Sequence, residues 1–118
     1  MPESEVRETF MPPGIIEQIN CLGDVEWNTS SDQFTPEELK ERLRDKDICI
    51  TGWGCPAFDE IVLTHTDRLK LIAHTGGTVA KLVSEAMYRK GIRIVSANDC
   101  FAESVAEGVI AYILAALR

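Results

Sequence analysis

The stretch Leu69–Thr78, "LKLIAHTGGT", decides the fold of this chain. It joins an apolar run to two consecutive glycines, a pattern typical of a buried β-strand that ends in a tight turn. Two similar runs flank it, because "DICIT" (47–51) leads into "GWG" and "IRIVSA" (92–97) follows Gly91. Segments with helical apolar spacing separate the three runs. This alternation predicts an α/β fold with a parallel sheet and helical crossovers.

The residues before these runs carry weaker signals. Residues 13–22 are predicted to form a helix that Gly23 ends, and "DVEWN" (24–28) is predicted to form a short strand. Thr35 is the predicted N-cap of the next helix, with Glu38 completing a capping box. The first ten residues offer poor strand material, so the sheet has no clear candidate for its first strand.

Three more helices are predicted further along the chain. A short one spans 58–62, and a longer one starts directly after Gly77 and ends at Gly91. "SVAE" (104–107) forms a second capping box that predicts the start of a final helix. That helix is so apolar that we expect it to be buried on most of its faces.

Composition narrows the functional classes. The chain has 118 residues and a formal net charge of -7 without a basic cluster, so we expect neither nucleic-acid nor membrane-surface binding. Its four cysteines form no metal-binding pair, which favours reduced thiols over a disulfide framework or a zinc site. The first residues contain no secretory apolar segment, and a cytoplasmic location is expected.

The turn after the first predicted strand has the glycine spacing of a dinucleotide-binding loop, from Gly52 to Ala57. A dinucleotide site also needs an acidic residue at the end of the next strand, and that strand ends in His74 and Thr75. Pro56 removes an amide from the predicted phosphate site. An ordinary turn between a strand and a helix explains the pattern better.

The turn formed by Gly76, Gly77 and Thr78 has better binding chemistry. Its amides would lie at the N-terminus of the following helix, which suits a small anion such as a carboxylate. A tight turn that uses glycine only for its dihedral angles explains the residues equally well. Trp53 is either a cap on the core or an apolar wall of a ligand cleft. His74 has no carboxylate near it in sequence, which favours a structural role.

From Asp47 to Arg118 the sequence resembles the D-isomer-specific 2-hydroxyacid dehydrogenases. The similarity is most specific at the glycine turn, at "KGIRIVSA" (90–97) and at "VAE" (105–107), which opens the apolar helix. The resemblance implies a flavodoxin-like open parallel sheet. In the family, amides of this glycine turn hold the substrate carboxylate, and a second segment lines the cleft. The implied substrate-binding residues are Gly76, Gly77, Thr78, Trp53 and Gly54.

The resemblance also implies a division of the chain. Residues 1–101 correspond to a partial substrate-binding domain, and residues 102–118 to a crossover helix that leads toward an NAD-binding Rossmann domain. The family's nucleotide loop and its catalytic arginine, glutamate and histidine lie beyond that helix. NAD or NADP is therefore implied for the full-length family enzyme, while this chain is expected to contain no catalytic residue, bind no cofactor or metal, and be inactive alone. An aspartate that usually follows the glycine turn is also missing here.

Two functional hypotheses follow. The first is a substrate-domain fragment of an NAD(P)-dependent oxidoreductase that acts on the CH–OH group of a D-2-hydroxy acid. The second is a standalone, non-catalytic α/β module that associates through its apolar C-terminal helix. Without a second domain to cover that helix, we expect a homodimer or a domain-swapped assembly through residues 104–118.

Overall fold

The computed structural model describes residues 1–2 and 5–118. Its elements are, in chain order, α1 (Glu5–Phe10), α2 (Pro13–Asn20), α3 (Pro36–Leu43), β1 (Ile48–Thr51), β2 (Leu71–His74), α4 (Glu85–Arg89), β3 (Arg93–Ser96) and α5 (Asn98–Ala116). The described strands form one parallel sheet in the order β1-β2-β3, with β2 at the centre. The α/β class and the three strands predicted from the apolar runs are confirmed.

The hydrophobic core is built around the central strand. Ile72 of β2 is completely buried, as are Phe58 and Val62 from the loop that follows β1. Side chains from α3, α4 and the intervening turns complete the same cluster. Its other members are Leu39, Leu43, Leu63, Leu69, Leu82, Ala86, Met87 and Ile92. Burial of these side chains is the main stabilising contribution to the domain, and it fixes the position of β2 and the turn that follows it.

Two helix boundaries agree with the sequence signals. At the start of α3, Thr35 Oγ1 accepts a hydrogen bond from the Glu38 amide (3.3 Å), and Glu38 Oε2 accepts one from the Thr35 amide (2.8 Å). This is the predicted capping box, which satisfies two amides that the helix itself cannot pair. Beyond α4, Gly91 has a φ of +68°, the left-handed conformation that favours glycine after a helix.

The strand predicted at residues 24–28 is wrong. Residues 24–28 are neither helix nor strand and pair with no strand among the described residues, and together with β1 they line a cavity of about 350 Å³. The register of β1 on β2 directs the backbone groups of Cys49 and Thr51 toward β2, while those of Ile48 and Ile50 face the other way. No backbone hydrogen bond joins the segment to that outer edge of β1. A strand needs a hydrogen-bonded neighbour, and this segment has none among the described residues.

The helix predicted around Phe58–Val62 is also wrong, although its apolar residues are buried as expected, with the exception of Ile61. Asp59 Oδ1 accepts hydrogen bonds from the amides of Ile61 (2.9 Å) and Val62 (3.0 Å). This is the geometry of a helix N-cap, and the Leu63 amide also donates a helical hydrogen bond to the Asp59 carbonyl (2.9 Å). The next amide, that of Thr64, binds the Ile61 carbonyl three positions back, so the segment forms turns and does not continue as an α-helix.

The helix predicted to start directly after Gly77 begins only at Glu85, eight residues beyond that glycine. Ser84 is its N-cap, with an extended backbone and a side chain that accepts a hydrogen bond from the Met87 amide (3.2 Å). Before Ser84, the amides of Leu82 and Val83 both bind the carbonyl of Val79, which forms an isolated turn. The serine cap sets the start of the helix, and the preceding residues follow a separate loop.

The final helix differs from its prediction in two ways. It begins at Asn98, so Ser104 lies inside α5 and does not cap it. The expectation that most of its faces are buried is wrong as well, because none of its residues is buried. Nothing in the described part of the chain packs over the outer faces of α5. Its large exposed side chains are Val105, Val109, Ile110, Tyr112, Ile113 and Leu114, and Leu117 is exposed directly after the helix.

Candidate functional site

The candidate site lies where β1 and β2 end. Because the strands are parallel, their carboxyl ends meet at one edge of the sheet, the edge at which open α/β sheets bind ligands. Thr51 and His74 are directly paired in the register of the two strands. The Thr75 amide donates a hydrogen bond to the Thr51 carbonyl (2.9 Å), which extends the ladder by one residue into the glycine turn.

The turn at Gly76 and Gly77 requires glycine because there is little room for a side chain, and not because the backbone adopts a left-handed conformation. Neither Gly76 nor Gly77 has a positive φ. A Cβ atom on Gly76 would lie 2.6 Å from His74 Nε2 and 2.7 Å from Trp53 Nε1, both far below normal contact distance. A Cβ atom on Gly77 would lie 3.1 Å from Asn98 Oδ1. The turn is therefore packed closely by side chains from β2, from the loop after β1 and from α5.

The turn presents three consecutive backbone donors. Within the described residues, no backbone or side-chain acceptor binds the amides of Gly76, Gly77 or Thr78. Gly76 is buried, Gly77 is half-buried and Thr78 is exposed, so the run of amides leads from the interior to the surface. Unpaired buried amides are uncommon in folded proteins, and they often mark the position of an anionic or oxygen-rich ligand.

The amides of the turn do not lie at the start of a helix. The sequence placed them at the N-terminus of the following helix, but α4 begins only at Glu85, so that prediction is wrong. Any anion at this turn would be held by individual N–H groups without a helix dipole. The assignment of Gly76, Gly77 and Thr78 as substrate-binding residues stays a prediction.

His74 is buried at the base of the turn. Its side chain is 6% exposed, and its Nδ1 atom lies 3.0 Å from the Thr51 hydroxyl oxygen. Burial lowers the pKa of His74 below its ordinary value, because the charged imidazolium would lose its hydration. The imidazole is therefore neutral at neutral pH.

Trp53 covers Gly76 from the solvent side, with 60% of its own surface exposed. Its ring makes an edge-to-face contact with Phe10 of α1, at a centroid distance of 5.3 Å. Phe10 makes a second edge-to-face contact with Phe101 of α5, at 6.0 Å. Such aromatic pairs fix ring orientation as well as burying apolar area. Trp53 is therefore an exposed wall beside the turn and not a buried cap on the core.

The structure brings Trp53 to the glycine turn but places Gly54 elsewhere. The open side of Gly54 faces Gln33, whose Cγ lies 3.4 Å from an added Cβ, and the backbone has a φ of +77°. The Gln33 side-chain amide donates a hydrogen bond to the Trp53 carbonyl. Gly54 thus allows the sharp turn that positions Trp53.

The turn from Gly52 to Ala57, which follows β1, does not fit a dinucleotide. The Met1 side chain occupies the space beside Gly52, since its Cε lies 2.6 Å from the position of an added Cβ. A pyrophosphate therefore cannot come close to the backbone on that side of the glycine. The chain from Gly54 to Asp59 is neither helix nor strand, and so offers no helix N-terminus to a pyrophosphate. These residues therefore do not provide the nicotinamide site that the family resemblance implies.

The four cysteines are free thiols. Burial raises the pKa of Cys49 to about 12 and that of Cys55 to about 11, so both are protonated at neutral pH and weak nucleophiles. In the described part of the chain, no group of three or more His, Cys, Asp or Glu side chains is arranged to hold a metal ion.

Sequence reasoning missed four contributors to the site. Thr51 is one of them. It could have been predicted, because Thr51 and His74 are the last residues of two adjacent predicted strands. Asn98, Phe10 and Phe101 are the others: Asn98 contacts the turn itself, Phe10 packs on Trp53, and Phe101 packs on Phe10. These contacts bring α1 and α5 together beside the site. No local pattern indicates that meeting, because it depends on how α1 and α5 pack beside the sheet.

Comparison with known proteins assigns the chain to a family. The family model described as "D-isomer specific 2-hydroxyacid dehydrogenase, catalytic domain" matches residues 8–110. The chain belongs to this family. The D-3-phosphoglycerate dehydrogenase of Methanocaldococcus jannaschii is 34% identical to this chain over 97 residues. The match covers 82% of this chain and 18% of that enzyme, so the chain spans only a small part of the relative's length.

A solved structure described as "Identification of the pyruvate reductase of Chlamydomonas reinhardtii" has a similar fold. It aligns with a TM-score of 0.68 and 20% identity, over 96% of this chain and 32% of the other. At this identity the likeness supports the fold alone. The family resemblance drawn from the glycine turn and the segments that follow it is confirmed. Separately, none of the described helices has the length and hydropathy needed to cross a bilayer.

Proposed function

We propose that this 2-hydroxyacid dehydrogenase chain is the substrate-binding part of an NAD(P)-dependent oxidoreductase that acts on the CH–OH group of a D-2-hydroxy acid. The observation that carries the proposal is the run of unpaired amides at Gly76, Gly77 and Thr78. These donors would bind the substrate carboxylate. Hydrogen bonds from N–H groups to an ionised acceptor are shorter and stronger than those between neutral groups, so three of them form an effective grip.

The neighbouring residues support this use of the turn. Trp53 would form the apolar wall against which the carbon chain of the substrate rests, and Gly54 would set its position. The atoms nearest to a Cβ placed on Gly76 belong to His74 and Trp53, and none of them is a carboxylate oxygen.

The redox step needs a partner for the hydride, which NAD or NADP supplies. In this proposal residues 1–101 form part of the substrate-binding domain, and residues 102–118 form a crossover helix that leads toward a nicotinamide-binding domain. Residues 1–118 then bind the substrate and are inactive without the nicotinamide cofactor. D-3-phosphoglycerate, which is named in the relative's description, is itself a 2-hydroxy acid and so falls within the proposed substrate class.

We also infer a cytoplasmic location, which the free thiols support because reducing compartments keep cysteines unpaired.

Titration of the isotope-labelled chain with D-lactate, followed by amide nuclear magnetic resonance, tests the carboxylate site. We expect the Gly76, Gly77 and Thr78 amide signals to move downfield in a saturable way, because each donor gains a charged acceptor. D-lactamide is the matched control, since it keeps the hydroxyl and methyl groups but lacks the charge. Equal shifts with both compounds, or no shift at these amides, would contradict the proposal.

The second candidate function is favoured by the exposed face of α5. Val109, Ile113 and Leu114 are each at least half exposed, although helices of this composition are normally covered. A standalone module would bury this surface against a second copy of itself, either as a homodimer or by exchange of residues 104–118. Association would then be the function of the helix, and the glycine turn would be structural.

Sedimentation at micromolar concentrations tests the association. We expect the native chain to sediment as a dimer and the variant Leu114→Glu to shift toward monomer, because a charge on the buried face must be desolvated. Thr29→Glu, at an exposed position outside α5, should leave the mass unchanged. A native chain that stays monomeric over this range would exclude this candidate.

A further inference from the structure

The buried pair formed by Thr51 and His74 determines which imidazole nitrogen carries the proton. A single hydrogen bond of 3.0 Å joins Thr51 Oγ1 and His74 Nδ1. Thr51 is 2% exposed, and its hydroxyl makes no other hydrogen bond in the described structure. If Nδ1 were the donor, the hydroxyl proton would be buried without an acceptor, which is costly. The hydroxyl therefore donates to Nδ1, and the proton of the neutral ring lies on Nε2.

The protonated Nε2 points into the candidate site. It lies 2.6 Å from the position that a Gly76 Cβ would occupy, and it has no hydrogen-bond partner within the described residues. The Trp53 Nε1 atom, also a donor, lies 2.7 Å from the same position. A side chain more than nine-tenths buried thus presents an unused donor beside three unused backbone donors. His74 Nε2, Trp53 Nε1 and the three amides are all donors, so a ligand that binds them must offer acceptors. Asn98 Oδ1, beside Gly77, is an acceptor at the same turn.

We propose that His74 is a substrate-binding residue, whose neutral Nε2–H donates a hydrogen bond to the carboxylate held by the glycine turn. Thr51 acts as a positioning residue that keeps the ring in this tautomer. The inference rests on the proposed function, because it concerns the same carboxylate. It adds a side-chain donor to a grip that the family resemblance assigned to backbone amides alone.

The tautomer can be measured directly on the native chain. Long-range nitrogen–proton correlation spectra distinguish Nδ1-protonated from Nε2-protonated imidazole, and we expect the Nε2-protonated form for His74. Thr51→Val removes the hydroxyl and should produce a mixture of tautomers, whereas Thr51→Ser keeps the hydroxyl and should preserve the native form. A native ring protonated on Nδ1 would overturn the inference without any binding experiment.

Binding of D-lactate to His74 variants tests the donor itself. We expect His74→Leu to weaken binding about tenfold or more, as for loss of a hydrogen bond to a charged acceptor. His74→Gln, which retains an N–H donor of similar reach, should recover much of the loss. Amide shifts at Gly76 and Gly77 that persist in His74→Leu with unchanged affinity would overturn this inference and leave the proposed function intact. Absence of those shifts in the native chain would overturn both.

Discussion

Replacing Phe58 with alanine is expected to lower the free energy of unfolding by about 3–5 kcal/mol. Phe58 is completely buried in the core cluster, and its amide donates a hydrogen bond to the Leu82 carbonyl (2.9 Å). Truncation removes apolar burial and leaves a cavity that surrounding side chains fill only in part. Since small domains are stable by only about 5–15 kcal/mol, the variant should be close to unfolding. Urea denaturation monitored by circular dichroism measures the change.

Tyr88→Ala is the matched control for the Phe58 variant. Tyr88 is an aromatic residue of α4 with 63% of its surface exposed, so its removal opens no cavity. Its effect should stay within about 0.5 kcal/mol. Equal losses of stability in the two variants would contradict the assignment of Phe58 to the core.

The substitution Gly76→Ala is expected to lower stability by about 1–3 kcal/mol and to abolish D-lactate binding at the turn. The new methyl group would overlap both His74 Nε2 and Trp53 Nε1. Trp53 is largely exposed and can move away, but His74 can retreat only by breaking its buried hydrogen bond to Thr51. The ring displacement also carries the side-chain donor away from the amides. Thermal unfolding and the D-lactate titration measure the two effects separately.

Gly108→Ala is the control for this substitution. An added Cβ on Gly108 meets nothing within 4 Å, and alanine is the better helix former, so α5 should gain about 0.5–1 kcal/mol. A Gly76→Ala variant that keeps native stability and native D-lactate affinity would show that His74 and Trp53 do not pack against this glycine in solution.

Sequence reasoning succeeded where the signal was a short apolar run or a capping residue. The runs that contain Cys49, Ile72 and Ile94 form the three strands. Thr35 caps the start of α3 and Gly91 follows the end of α4, as predicted. In these places local preference and tertiary packing favour the same structure. The site residues Trp53 and Gly76 also lie side by side, although they are 23 positions apart, because parallel strands bring successive loops to one edge.

The errors arose where a local pattern had a competitor. Asp59 and Ser84 bind backbone amides and set turns or helix starts where apolar spacing alone predicted continuous helix. Ser104 and Glu107 match a capping box, yet α5 already begins at Asn98. The segment 24–28 has strand composition but no neighbour to pair with. Two explanations were open for glycine at position 76, and dihedral freedom is not the reason, because its φ is not positive and its Cβ position is crowded by the rings of His74 and Trp53.

The contact between Thr51 and His74 also has a consequence for assembly of the sheet. Residues that follow one another along a strand point to opposite faces, so a slip of β1 by one position would put Ile50 or Gly52 opposite His74. The imidazole would then be buried against a partner with no hydroxyl, at a cost of about 1–3 kcal/mol for each polar group left unsatisfied. The hydrogen-bonded pair of Thr51 and His74 thereby favours one register of β1 on β2. Contacts between apolar side chains alone would distinguish less strongly between the possible registers.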